Sequence, residues 1–134
     1  MLVEKYFSNI NQKNKNHYFS GLSFNSKNVK KNNIFFAIRG NKINGNKFIK
    51  EAIQKGAAVI VSNLNFKGVK NRVLYIKTNN SRKLLSEIAC KYYKNKPKNL
   101  IAVTGTNGKS SVADFYYQIL TLNKKSVSSI GTLG

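Results

Sequence analysis

Apolar and polar positions along the chain fall into blocks whose period switches between two and about three and a half, the mark of strands alternating with helices. A first strand is expected over Tyr18 to Phe24 and a second, buried one over Asn33 to Arg39 (NIFFAIR), with the polar, turn-rich FNSKNVKKNN between them. Gly40 to Asn46 reads as a loop. KFIKEAIQKG then sets Phe48, Ile49, Ala52 and Ile53 on one helical face, and Gly56 suits the position after the helix end. AAVIVS is a short apolar strand, NLNFKGVKN a turn region and RVLYIKT a further strand. From Asn80 to Tyr93 the positions Leu84, Leu85, Ile88, Ala89 and Tyr92 recur at helical spacing, with Asn79 or Asn80 as the cap. Pro97 disfavours helical geometry at Lys96, which makes KNKPKN a linker. Beyond it come a strand, LIAVTG, a glycine-containing loop, a helix from Lys109 to Leu122 and a last strand, SVSSIG. No internal repeat is visible.

Composition narrows the picture. The 134 residues suffice for one compact domain with its own core but not for two complete ones, and 41% hydrophobic content argues for a folded chain. No apolar run reaches the length of a membrane span, and MLVEKYFSNINQK lacks the features of a signal peptide, so the expected location is the cytoplasm. Cys90 is the sole cysteine, which excludes an internal disulfide or a thiolate cluster; its helical setting suggests a small core residue. The net charge of +20 invites a nucleic-acid reading. However, the lysines are scattered and interleaved with asparagine (KNVKKNN, GNKINGNK, YYKNKPKN), as an A/T-biased coding sequence would produce in any fold. The aromatic residues fall mostly in strand or helix core positions rather than on an exposed platform. Acidic groups are confined to Glu4, Glu51, Glu87 and Asp114, too few for a convincing catalytic carboxylate pair. His17, in the polar early segment, is expected to be solvated.

The stretch IAVTGTNGKSS carries the chemistry. A strand that ends at a glycine turn and leads into a helix presents unpaired backbone N–H groups and the positive end of the helix dipole to whatever lies in front, an arrangement suited to an anion. Gly105 and Gly108 allow the peptide to wrap a polyphosphate; Thr106 and Asn107 add donors at the tip. Lys109 would place its ammonium on the outer phosphates, and the Ser110 hydroxyl, with Ser111 beside it, could ligate Mg2+. The general phosphate-loop pattern asks for glycine where Val103 stands, so the strict form is not met. The competing reading is an ordinary strand, turn and helix with an exposed lysine. The resulting fold expectation is α/β: a small N-terminal mixed-sheet domain over residues 1–97, then over 98–134 the first strand, loop and helix of a phosphate-loop ATPase domain. Those elements cannot close a nucleotide-binding sheet, so the apolar faces of residues 98–134 should lack partners.

TGTNGK followed by two hydroxyl residues resembles the ATP loop of the Mur ligase family, enzymes that add amino acids to UDP-N-acetylmuramic acid in peptidoglycan synthesis. It is most similar to the branch that attaches the third residue. The resemblance extends from about Leu22 onward. The family's N-terminal domain carries an Asp-Ser-Arg motif, a short strand, a Gly-His-x-x-Asp-Gly loop, a helix and a Gly-Ala-x-x-(Val/Ile) strand. The same order appears here in FNSKNVKKNNIFFAIRGNKINGNKFIKEAIQKGAAVIVS, and SSIGTLG resembles the continuation of the family's central domain. Asn25 and Lys27 replace the first motif's aspartate and arginine, and Asn41 and Asn44 replace the loop's histidine and aspartate. Lysine lacks the planar fork of arginine.

The resemblance implies several roles. Phe24 and Ser26 would bind the uridine diphosphate end of the substrate, with Asn41, Lys42 and Ile43 as a second uridine-contacting loop; otherwise Ser26, Asn41 and Asn44 are ordinary turn residues. Gly105 to Ser111 would hold ATP, with Lys109 catalytic on the phosphates and Ser110 on Mg2+. The implied reaction phosphorylates a carboxylate of UDP-N-acetylmuramoyl-L-alanyl-D-glutamate, and the amine of a diamino acid, meso-diaminopimelate or L-lysine, then displaces phosphate. In the family a second magnesium carboxylate, a modified lysine and the amino-acid-binding domain lie beyond the equivalent of Gly134. This chain alone is therefore expected to be the inactive front of a longer ligase or a truncated product. The family's D-alanyl-D-alanine-adding enzymes are the alternative within it, though Thr106-Asn107 favours the third-residue branch. A basic nucleic-acid-binding module is the alternative outside it.

Overall fold

The computed structural model describes residues 1–8 and 10–131. The chain divides into two compact units, Met1–Asn95 and Lys96–Gly134, within the expected linker.

The first unit is built on a five-stranded sheet. Its strands are β1 (Gly21–Ser23), β2 (Asn33–Phe36), β3 (Val59–Ser62), β4 (Gly68–Lys70) and β5 (Val73–Lys77), in the spatial order β1-β2-β3-β5-β4. All neighbours are parallel except the β4–β5 pair, so the sheet is mixed and the architecture α/β, as expected. Every residue of β2 and β3 is buried, because both faces of a central parallel strand are covered. Alternation then sorts the side chains. Ile34, Phe36, Val59, Val61 and Leu74 join Val3, Phe7 and Phe19 of the N-terminal segment and Ile88 of helix α2 (Ser81–Tyr92) in one core. Phe35, Ala37, Ile60 and Val73 meet Val29, Ala57 and helix α1 (Ile49–Gln54), through Ile49 and Ala52, in the other. Each fully buried side chain of this size contributes roughly 1.5–3 kcal/mol, so both layers matter.

Several sequence expectations are corrected. The first strand is only Gly21–Ser23; Tyr18 instead makes an isolated antiparallel bridge with Leu2. The helix expected from Lys47 begins at Ile49, because Gly45–Phe48 form a 3₁₀ turn that leaves Phe48 half-exposed. The region read as turn between β3 and β5 contains β4. Its hairpin turn is Asn71-Arg72, both at positive φ (51° and 65°). Two-residue hairpins need that conformation, and arginine is a poor advertisement for it. Cys90 is exposed: it sits two residues beyond Ile88, about 200° around α2 from the buried stripe. His17 is half-buried rather than solvated. The cap expectation holds, with the Asn80 side chain accepting from the Lys83 N–H at 2.9 Å, and Gly56 (φ +93°) follows α1.

In the second unit helix α3 runs over Lys109–Leu122, as expected. The flanking segments LIAVTG and SVSSIG carry no strand pairing among the described residues, because a strand exists only where another backbone completes its ladder. Thr132 to Gly134, part of the quoted SSIGTLG, lie outside the described residues. No residue of α3 is buried, and Leu100, Leu122 and Ile130 are 88%, 82% and 97% exposed. Among the described residues no helix is long and apolar enough to cross a membrane.

Candidate functional site

Because β1, β2, β3 and β5 are parallel, their carboxyl ends lie along one edge of the sheet, where open α/β sheets characteristically bind ligands. Two of the sequence-predicted groups fall there on adjacent strands. Phe24 and Ser26 follow β1, and Asn41, Lys42 and Ile43 lie in the loop that follows β2.

The first loop is held by its own polar groups. The Ser23 hydroxyl donates to the Asn25 carbonyl at 2.8 Å, and the Asn25 side chain accepts from the Lys27 N–H at 3.0 Å, starting the 3₁₀ turn Ser26–Asn28. Phe24 projects outward, 68% exposed. Ser26 is buried, and its hydroxyl donates to Glu51 Oε2 of α1 at 2.8 Å. Lys55, one turn on, donates to Glu51 Oε1 at 3.0 Å and to the Lys27 carbonyl at 3.3 Å. The Lys55 ammonium and then the Ser26 hydroxyl hold the Glu51 carboxyl below its ordinary range.

The second loop is a narrow excursion pinched at its base. Arg39 and Asn44 form an antiparallel bridge, Gly40 N–H donates to the Ile43 carbonyl at 2.9 Å, and Gly45 N–H donates to the Ile38 carbonyl at 3.0 Å. The Asn44 side chain accepts from the Asn46 N–H at 3.1 Å, and Asn46 donates to Asn63, just past β3, at 2.7 Å. Asn41, Lys42 and Ile43 are therefore presented outward, all exposed. Asn25 and Asn44, which stand where the motifs have aspartate, keep the local capping that an aspartate oxygen would provide.

The glycine loop lies in the second unit. Gly105 and Gly108 are at positive φ (153° and 73°), and Gly108 caps α3 in the left-handed conformation. Val112 N–H donates to the Gly108 carbonyl at 2.9 Å, the first bond of a 14-residue helix whose opening N–H groups face the loop. Thr106, Asn107, Ser110 and Ser111 are exposed around it. The Lys109 ammonium folds back onto the loop, donating to the Gly105 carbonyl and, at 3.1 Å, to that of Thr106. No carboxylate lies in this segment; the one acidic residue of α3, Asp114, accepts from Gln118 at 2.7 Å. The donor set, N–H groups, an ammonium and hydroxyls, suits a polyphosphate. For Mg2+ it offers the hard oxygen of Ser110, which fits an ion held chiefly by phosphates and water.

Sequence reading missed Glu51. Its i,i+4 relation to Lys55 was visible, but its partnership with Ser26, 25 residues away, follows from the packing of α1 on the β1–β2 crossover.

An α/β sheet with loops at its carboxyl edge, joined to a separate glycine and lysine loop, defines a class, and comparison with known proteins gives the family. The model of the Mur ligase family, catalytic domain, matches residues 18–93, and the chain belongs to the Mur ligase family. It is 44% identical, over 94% of its length, to the UDP-N-acetylmuramoyl-L-alanyl-D-glutamate--2,6-diaminopimelate ligase of Rickettsia prowazekii. It is also 44% identical, over 84% of its length, to the protein of that name from Clostridium tetani. Among solved structures, the MurF ligase of Thermotoga maritima in complex with ADP covers 83% of this chain at 28% identity with a TM-score of 0.66. The chain spans about a quarter of the length of these relatives.

Proposed function

We propose that this chain supplies two binding sites of an ATP-dependent ligase in peptidoglycan precursor synthesis. The ligase joins a diamino acid, 2,6-diaminopimelate by the relatives' names, to UDP-N-acetylmuramoyl-L-alanyl-D-glutamate. The observation that carries the reading is the 44% identity to such a ligase over nearly the whole chain. The looser likeness to the MurF ligase, at 28%, supports the shared fold and leaves the third-residue assignment in front.

The roles divide by unit. Residues 1–97 would form the UDP-substrate-binding domain, with Phe24 offering an apolar face to uracil and Ser26, Asn41, Lys42 and Ile43 completing the contact. Residues 98–134 would begin the ATP-binding domain. There Lys109 would exchange its two loop carbonyls for phosphate oxygens, and the N–H groups between Gly105 and Ser111 would take the remaining negative charge. Mg2+, held through Ser110 and phosphate oxygens, would neutralise charge on the transferring phosphoryl group. Phosphoryl transfer is largely positioning and charge stabilisation, which these groups can supply. The substrate carboxylate takes the γ-phosphoryl group of ATP, ADP departs, and the incoming amine displaces phosphate to form the amide. As the chain matches only part of such a ligase, its roles here are binding roles and the joining step belongs to the whole enzyme. ATP and UDP-linked precursors are cytosolic reagents, so the reading also implies a cytoplasmic location.

Calorimetric titration of the chain with UDP, with ADP and Mg2+, and with single-stranded polynucleotide tests this reading. Saturable binding of both nucleotides, with Lys109→Met removing only the ADP response, is expected. No nucleotide binding, together with polynucleotide binding that falls steeply with salt, would replace it with the nucleic-acid reading.

A further inference from the structure

Ser26 stands at the carboxyl end of β1, where the proposed reading places the uridine end of the substrate, yet its hydroxyl proton is committed elsewhere. A serine hydroxyl has one proton to donate, and here it goes to Glu51 Oε2 at 2.8 Å. The same carboxylate takes the Lys55 ammonium on its other oxygen, and that ammonium also bonds the Lys27 carbonyl. Thus two side chains one turn apart, Glu51 on α1 and Lys55 at its C-terminal cap, grip the loop after β1 at two successive residues, Ser26 by its side chain and Lys27 by its backbone.

We infer that Glu51 is the positioning residue of the β1 loop: through Ser26 and Lys55 it fixes the Phe24–Lys27 backbone in the conformation that receives a uridine diphosphate group. The inference rests on the uridine reading and deepens it. Ser26 then serves a ligand as an acceptor and as part of a shaped backbone, not as a hydroxyl donor. Phe24, an exposed side chain of the loop, owes its outward direction to a turn anchored on both sides. The Ser23 and Asn25 bonds close the loop from within, whereas the Glu51 and Lys55 bonds form a latch that ties it to another part of the fold.

Calorimetric titration of UDP into the 134-residue chain and its variants distinguishes the possibilities. If the latch positions the loop, Glu51→Ala and Ser26→Ala each weaken UDP binding by about tenfold, the scale of one charge-assisted hydrogen bond. The double variant is then no weaker than the worse single, because both remove one interaction. Glu51→Gln, which keeps an oxygen to accept from Ser26, recovers most of the affinity. A role in stability alone predicts a lowered melting temperature in Glu51→Ala with UDP affinity within twofold of the parent, and that result overturns the inference while leaving the uridine reading intact. Additive losses in the double variant overturn it too. Absence of UDP binding by the parent chain overturns the uridine reading itself, and the inference with it.

Discussion

The backbone of Gly45 lies directly on that of Ile38. Its N–H donates to the Ile38 carbonyl at 3.0 Å, and a Cβ at position 45 would come within 2.6 Å of both the nitrogen and the carbonyl oxygen of Ile38. This contact closes the Asn41–Ile43 loop at its base and sets the entry to α1. Gly45→Ala is expected to destabilise the first unit by about 1–3 kcal/mol, as overpacking against backbone that cannot yield. Urea unfolding followed by circular dichroism would measure it, and an unchanged midpoint would count against the close approach.

Lys109 offers the opposite case, a functional residue with little structural duty. Among the described residues its ammonium bonds exposed loop carbonyls, so Lys109→Met should leave the melting temperature unchanged. ADP affinity in the presence of Mg2+ should fall by about tenfold or more, the loss of a hydrogen bond to a charged group. Retained ADP binding would remove the lysine from the proposed site.

Glu51 makes stability depend on acid. Its carboxyl is held below the ordinary value of 4.5, first by Lys55 and then by Ser26, so the folded chain resists a proton that the unfolded chain accepts. The contribution is complete above about pH 4.5 and is lost as the pH falls through the depressed value. Glu51→Gln should flatten the acid side of a melting-temperature profile; an unaltered slope would contradict the latch.

Tyr92 acts in the alkaline direction. Its hydroxyl donates to the Ser20 carbonyl at 2.6 Å, across 72 residues of sequence, and its ring lies 5.8 Å from Phe19 and 6.3 Å from Tyr6. Burial pushes the phenol above its ordinary 10.0. Stability from the protonated phenol is therefore present below pH 10 and declines as the pH rises through the raised value. Tyr92→Phe should cost about 0.5–1.5 kcal/mol at neutral pH for the lost hydrogen bond and should reduce the alkaline decline. Equal profiles for the two proteins would exclude this.

Ile88 is the buried apolar residue that α2 sets into the sheet core, with Leu84, Leu85 and Tyr92 packed beside it. Ile88→Ala should lower stability by about 2–5 kcal/mol through the cavity it leaves, whereas the exposed Cys90→Ala should change it by less than about 0.5 kcal/mol. Denaturant midpoints for the pair test which face of α2 is buried.

Local features were legible where local physics decides them. The Asn80 cap, the glycine after α1, the buried runs of β2 and β3, and the span of α3 each follow from spacing and turn chemistry within a few residues. The hairpin at Asn71-Arg72 was not, because its positive φ values are imposed by β4 pairing with β5 rather than advertised by glycine. The unpaired segments around α3 show the same dependence in reverse. LIAVTG has the composition of a strand, but composition supplies no partner for its backbone.

The sequence by itself determined the alternating α/β pattern, the linker near Pro97, and the glycine loop with Lys109 at the head of α3, since each is written in contiguous residues. Tertiary structure alone decided that the loops after β1 and β2 share one sheet edge, that Gly45 must be glycine because Ile38 lies beneath it, and that Ser26 answers to Glu51. Those relations join residues far apart in the chain, and only the packing of α1 and the parallel pairing of the strands bring them within reach of one another.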